Sequence, residues 1–299
     1  MYLSRGGVAF FDSGIGGLTV LDACRKRLGA GVYYYYGDNG RAPYGNLPPK
    51  KIRRYVFRAF RRFNRMGVSA AVLACNTATA VCIDKLRRRF SYPNVGTEPD
   101  LRIAVKRGGR VLVLATRATC DSERLHRLCE RVKSENPAVE ILVRPCEGLA
   151  GEIERRLGSE EYDFTHHLPK EQADAVVLGC THYIYIVKQI EAFYGCPVYD
   201  GNEGIARRLE TVLQESDGFS RRGDRHGTDG ERQPFFKKNV HKMGALTTKA
   251  EKVGMCQSLS NKRLCKNAKK CGKTLENGEV VFIGKCKEIN EKVYKQMFV

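Results

Sequence analysis

The chain has 299 residues, 42% of them hydrophobic, a length suited to two domains of ordinary size and a composition that supports a real core. Its twelve cysteines are spread along the chain, Met1 leads straight into a strand-like run rather than a signal-peptide core, and no apolar run is long enough to span a membrane. These features exclude a disulfide-stapled secreted miniprotein and a helical membrane protein, and predict a cytoplasmic protein with reduced thiols. The formal net charge is +19, and residues 218–299 hold 19 Lys and Arg against 8 Asp and Glu, so more than half the excess lies in the last quarter of the chain. Such asymmetry bears on association with nucleic acid or acidic surfaces, not on fold.

In chain order, Val8–Phe11 reads as the first strand. The loop Asp12-Ser13-Gly14-Ile15-Gly16-Gly17 follows and opens a helix. A glycine-rich turn there lets backbone N–H groups approach an anion. It is not the dinucleotide fingerprint, because Thr19 stands where a third glycine is needed. Asp12 suits either an N-cap or a ligand-facing carboxylate. Val32–Tyr36 is a second strand, followed by the turn-rich loop Gly37–Gly45. Lys50–Met66 is an amphipathic helix, with Ile52, Val56, Ala59, Phe60, Phe63 and Met66 at helical spacing and Pro48-Pro49 before it. Ala70–Ala74, Val111–Ala115, Glu140–Arg144 and Ala175–Leu178 are further short apolar strands. Glu147–Leu157 and Glu203–Glu215 read as helices.

Strands that are apolar throughout and alternate with amphipathic helices belong to mostly parallel sheets covered on both faces. The predicted fold is therefore α/β: two similar doubly wound lobes, 1–97 and 98–206, with a ligand cleft between them. The helix around 203–216 returns to the first lobe. Residues 218–299 form an irregular basic extension, with a Gly/Arg/Asp/Ser-rich linker over Gly218–Gly230 and a hairpin around Glu276-Asn277-Gly278-Glu279 ahead of Val280–Ile283.

Two strands end on cysteine in the same way. Ala71–Ala74 runs into Cys75-Asn76-Thr77-Ala78-Thr79, and Val176–Gly179 runs into Cys180-Thr181-His182-Tyr183, 105 residues later. A thiol at a strand-to-helix junction meets free N–H groups and a positive dipole end, an arrangement expected to lower its pKa. Two such thiols in a duplicated unit suggest one acid/base group on each side of a substrate. His182 suits tuning of Cys180 or proton donation. Two cysteines and one histidine without a CxxC pair are weak evidence for a metal site. Thr116 and Thr119 beyond the Val111–Ala115 strand suit carboxylate binding or ordinary capping, and Glu154 lies in a helix beside Glu152.

Together with Asp38 through Gly45, Glu98-Pro99, and Ala115-Thr116 with Thr119, these motifs resemble the glutamate racemases, in order from about Val8 to about Leu213. The resemblance implies cofactor-independent interconversion of L- and D-glutamate for peptidoglycan synthesis, in a protein that is a homodimer. It implies Cys75 and Cys180 as acid/base groups on opposite faces of the α-carbon. Asp12 would assist Cys75, and Glu154 and His182 would assist Cys180, with Glu152 competing for the glutamate role. Substrate contacts carry over to Asp12, Ser13, Pro43, Tyr44, Gly45, Asn76, Thr77, Thr116, Thr119, Thr181 and His182. Ile184 stands where the family usually has proline, and the chain after about Asp217 departs from the family pattern. No Schiff-base lysine or phosphate cup is recognisable, which argues against pyridoxal phosphate. The chemistry itself favours two fixed thiols: inversion needs a proton removed on one face and returned on the other, and a thiol/thiolate pair swaps roles for the reverse reaction.

Two other readings remain open from the sequence. One is a racemase acting on aspartate or another amino acid. The other is a nucleic-acid-binding role through the basic helix (Lys51, Arg54, Arg58, Arg61, Arg62, Arg65) and the tail. The tail cysteines Cys256, Cys265, Cys271 and Cys286 do not fit common zinc spacing. An assay of the full chain beside residues 1–217 is the experiment the sequence suggests.

Overall fold

The computed structural model describes residues 6–157, 162–223 and 278–299, with backbone alone over 217–223. β1 (Val8–Asp12) is buried along its whole length, as a central strand with helices on both faces must be. β2 (Val32–Gly37) and β3 (Ala70–Leu73) flank it, in register so that Val8 lies opposite both Tyr33 and Ala70. β4 (Asn94–Gly96) pairs with β3. α1 (Gly17–Leu28), α2 (Pro49–Met66) and α3 (Asn76–Arg89) connect these strands. The predicted α2 starts one residue earlier than its periodicity indicates, with proline in its first turn, where a missing N–H costs nothing.

The second lobe repeats the plan. β5 (Arg110–Ala115) is central, β6 (Glu140–Pro145) and β7 (Ala175–Gly179) flank it, and β8 (Val198–Tyr199) pairs with β7. The strand orders β4-β3-β1-β2 and β8-β7-β5-β6 correspond strand for strand, and every pairing is parallel. Each lobe therefore reverses its winding between its first and third strands. Cys75 follows the third strand of one lobe and Cys180 the third strand of the other, at the carboxyl ends where such sheets bind ligands. α4 (Leu101–Ala104) and α6 (Glu123–Glu135) cover one face of the second sheet. α7 (Leu149–Arg156) and α8 (Val187–Tyr194) cover the other. α5 (Arg117–Cys120) is one short turn after β5.

Ile205, Ala206, Leu209, Val212 and Leu213 of α9 (Asn202–Gly223) share a core with Val8, Phe10 and Leu18. The α9 backbone continues to Gly223, into the segment read as linker. The end of the chain also departs from expectation. β9 (Glu279–Phe282) adds to the first sheet beside β2, in parallel register, with Tyr33 opposite Val280. α10 (Lys287–Phe298) packs Tyr294 into the α1/α9 core. Parallel pairing of β9 with β2 accounts for the described side of that strand; Glu276 and Asn277, the first half of the expected hairpin, lie outside the described residues. Cys256, Cys265 and Cys271 lie outside them too. The end of the tail thus completes the first lobe, and a cut at residue 217 removes an edge strand and a core helix rather than a separate appendage.

Candidate functional site

Asp12 ends β1 fully buried, and its Oδ1 accepts a 2.7 Å hydrogen bond from the Gly14 N–H. The loop then runs against the second lobe at van der Waals distance. A Cβ on Gly14 would lie 2.4 Å from Glu154 Oε1, and one on Gly16 2.5 Å from Thr181 Oγ1 and 2.7 Å from His182 Nδ1. Gly14 and Gly16 are thus spent on close approach between the lobes, while Gly17 packs against Asp12 and Ala74 of its own lobe. Two tyrosine hydroxyls fix the loop, Tyr35 donating to the Gly14 carbonyl and Tyr185 to the Ile15 carbonyl, each at 2.8 Å. Across the cleft, the Thr181 hydroxyl donates to Asp12 Oδ2 at 3.4 Å. Burial raises the Asp12 carboxyl above its ordinary range, opposed by His182 and the Gly14 N–H.

Cys75 is the N-cap of α3. Its Sγ accepts from the Ala78 N–H at 3.4 Å, and its thiol donates to Ser13 Oγ at 3.5 Å. The helix start does favour the thiolate, as the sequence predicts, but it does not win. Burial, reinforced by Asp12, pushes the thiol up to about 12 against the pull of Ser13 and Ala78. A charge on Cys180 pushes it in the same direction.

Cys180 follows β7, with its Sγ 3.8 Å from His182 Nδ1. The other ring nitrogen, Nε2, lies 2.5 Å from Glu154 Oε2. The ring is buried, which alone would lower its proton affinity; hydrogen bonds with Cys180 and Glu154 outweigh this and raise it well above the ordinary range. Glu154 also accepts from the Ile15 N–H at 3.3 Å and from Asn39 Nδ2 at 2.9 Å. Glu152, two residues away on α7, instead pairs with Arg155 and Arg156, whose hydrogen bonds hold its carboxyl down at about 2. Of the two glutamates, only Glu154 touches His182.

The predicted binding residues gather around these groups. Thr77, Thr116 and Thr119 form a hydroxyl triangle joining the lobes, with Oγ1 separations of 2.9 Å (Thr77–Thr116), 3.3 Å (Thr77–Thr119) and 3.0 Å (Thr116–Thr119). Thr116 also caps α5, accepting from the Thr119 N–H at 3.3 Å, so the capping and cleft roles coexist. The loop after β2 crosses to the second lobe, setting Gly45 against Thr116 and Pro43 against Gly151. Tyr44 is fully buried and donates to Asp38 Oδ2 at 2.7 Å. Asn76, Cys180 and Thr181 line a cavity of about 10 Å³, room for the centre of a single water. Among the described residues no three His, Cys, Asp or Glu side chains are grouped to hold a metal ion. None of the described helices is long and apolar enough to cross a membrane. The contact missed in the sequence is Asn39 on Glu154; the turn residues after β2 were its only signal.

Comparison with known proteins identifies the family of the chain. A family model described as Asp/Glu/Hydantoin racemase matches residues 20–209. The glutamate racemase of Bifidobacterium longum (strain DJO10A) is 35% identical over 226 residues, 69% of this chain and 84% of that protein. The crystal structure of Escherichia coli glutamate racemase in complex with L-glutamate and the activator UDP-MurNAc-ala superposes with a TM-score of 0.62 at 30% identity, covering 70% of this chain and 82% of that one. The glutamate racemase structure from Campylobacter jejuni subsp. jejuni, at 22% identity, shares the fold over 97% of both chains with a TM-score of 0.64. With a family match over most of its two lobes and a relative at this identity covered along most of its length, the chain belongs to the Asp/Glu/hydantoin racemase family.

Proposed function

We propose that this chain is a glutamate racemase, interconverting L- and D-glutamate through Cys75 and Cys180 and supplying D-glutamate for peptidoglycan. The observation that carries the reading is the duplication itself: equivalent strands β3 and β7 are each followed by a buried cysteine, in two lobes whose side chains meet through Asp12, Thr181, Glu154 and the threonine triangle. For one enantiomer the Cys75 thiolate takes the α-proton, the C–H electron pair stays on the substrate, and the Cys180 thiol returns a proton to the opposite face. For the other enantiomer the roles reverse. No external oxidant or organic cofactor is needed for that balance.

Each thiol has its own partners. His182, held by Glu154, faces the Cys180 sulfur at 3.8 Å, placed to hydrogen-bond it as a proton moves there. Cys75 starts from about 12, so it needs help from the substrate. An ammonium group 4 Å away at an effective dielectric of about 20 is worth about 4 kcal/mol, or about three pH units. The amino acid thus activates the base that attacks it, with Asp12 placed to receive the ammonium. The threonine triangle and the Thr116 cap supply hydroxyl and N–H donors for a carboxylate, in whose field the developing carbanion is stabilised. The glycine-rich loop and the threonine triangle hold the lobes in contact, so the lobes part to admit glutamate and close to exclude water. Pro43, Tyr44 and Gly45, on the loop that bridges the lobes, move with that closure.

Incubating the full chain with either enantiomer and following circular dichroism tests the reading. Loss of signal to zero from both sides supports it; inertness towards glutamate with turnover of aspartate or another amino acid moves the activity elsewhere in the family. The full chain is required, since β9 and α10 belong to the first lobe. We further propose a homodimer in the cytoplasm, read out by light scattering.

A second reading rests on α2. Lys50, Lys51, Arg54, Arg58, Arg61, Arg62 and Arg65 are exposed on a helix without a single carboxylate, and none of them forms an ion pair among the described residues. Such a face fits the phosphates of duplex nucleic acid as an added activity. Binding that falls steeply with salt supports it, and no measurable duplex affinity at low salt removes it.

A further inference from the structure

We propose that Asn39 is a positioning residue for proton transfer at Cys180, reaching across the cleft from the first lobe to fix the carboxylate that orients His182. The inference rests on the racemase reading above. Asn39 sits two residues beyond the carboxyl end of β2, and its Nδ2 donates to Glu154 Oε1 at 2.9 Å. The opposite oxygen of the same carboxylate, Oε2, is the one 2.5 Å from His182 Nε2, and His182 Nδ1 faces the Cys180 thiol at 3.8 Å. The four groups form one chain, Asn39–Glu154–His182–Cys180, drawn from a loop of one lobe and three sites of the other.

An ionised carboxylate only accepts hydrogen bonds, so the Asn39 amide must turn its NH2 towards Glu154. Its own Oδ1 is then buried without a hydrogen-bond partner among the described residues. An amide serving only to close the loop after β2 would not be held in this way; unmatched buried polar atoms in folded proteins mark places where another requirement wins. Here that requirement is the carboxylate's orientation. The Ile15 N–H, also a first-lobe group, reaches Oε2 at 3.3 Å. Both first-lobe donors therefore grip Glu154 only while the lobes are together, which ties the readiness of Cys180 to closure of the cleft.

The test exploits a constraint peculiar to racemisation. The equilibrium constant between enantiomers is one, so kcat/KM must be equal in the two directions for every variant. A defect at one thiol appears instead in the isotope effect on removal of the α-hydrogen. kcat/KM is measured for Asn39→Ala and wild type with L- and D-glutamate carrying hydrogen or deuterium at the α-carbon. The expected result is a fall of about tenfold or more in kcat/KM, as loss of a hydrogen bond to a charged group gives. The two isotope effects then separate: larger where Cys180 removes the labelled proton, smaller where Cys180 only returns one. Damage to folding alone scales the rates and leaves both isotope effects where they were. Should Asn39→Ala not fold, Asn39→Asp keeps the side chain's shape, sets a second carboxylate against Glu154, and is expected to give the same separation. kcat/KM within about twofold of wild type, or a fall without opposite movement of the two isotope effects, overturns the proposal. A wild-type chain that does not racemise glutamate overturns the racemase reading instead.

Discussion

Replacing Glu154 by glutamine keeps the shape of the side chain and removes its charge, and the consequences differ for rate and for stability. The 2.5 Å contact with His182 loses a charged partner, and the single amide oxygen of glutamine accepts from the Ile15 N–H only if Asn39 turns its own oxygen to meet the new NH2. A hydrogen bond to a charged group is worth about 1.5–3 kcal/mol, so kcat falls by about 10- to 150-fold. His182 is also left in a site where burial, the largest single influence on it, lowers its proton affinity. In the wild type the raised affinity contributes stability that is fully present below the unfolded value near pH 6.5 and is lost as pH rises through the folded value. In Glu154→Gln that contribution shrinks or reverses. Urea unfolding at about pH 6 and about pH 9 therefore shows a larger deficit for the variant at the lower pH, by about 1.4 kcal/mol for each pH unit separating the two imidazoles. Glu152→Gln is the control: its carboxylate faces Arg155 and Arg156, and activity stays within about twofold of wild type. A deficit that is flat or grows with pH refutes the reasoning, as does an equal loss of activity in Glu152→Gln.

Two further outcomes are expected. Tyr294→Ala removes an α10 side chain from the α1/α9 core and lowers the unfolding free energy by about 3 kcal/mol, while the folded fraction keeps its specific activity; a negligible change in denaturation midpoint would detach the end of the chain from the first lobe. Alkylation of Cys75 without substrate, followed by mass spectrometry, rises about tenfold per pH unit between about pH 8 and pH 10, because the thiol lies up at about 12; a rate that levels off inside that range contradicts the burial argument.

The features legible in the sequence were those with a local signature. Val8–Phe11 and Val176–Gly179 are continuous apolar runs, and α2 repeats its apolar residues at helical spacing, so strands, helix and both cysteine turns stood out. β4 and β8 did not, because strands of three and two residues are too short to show a period. β9 was visible as Val280–Ile283, but its partner β2 lies about 250 residues earlier, and only tertiary pairing reveals a parallel edge. Within the site, Asn39 and the choice of Glu154 over Glu152 depend on which side chains meet across two lobes, which no spacing along one helix records. The direction of the Cys75 shift was misread for a related reason: the helix start is written in the sequence, whereas the burial that outweighs it comes from both lobes together.

Two thiols are proposed to act on opposite faces of one α-carbon. The direct measurement is glutamate racemisation, from each enantiomer, by the full chain and by Cys75→Ala and Cys180→Ala, with circular dichroism of the backbone confirming that all three fold. The wild type is expected to carry either enantiomer to the racemate, and each substitution to lower the rate by at least about a hundredfold. A variant that keeps a substantial fraction of the wild-type rate in both directions would contradict the two-thiol assignment.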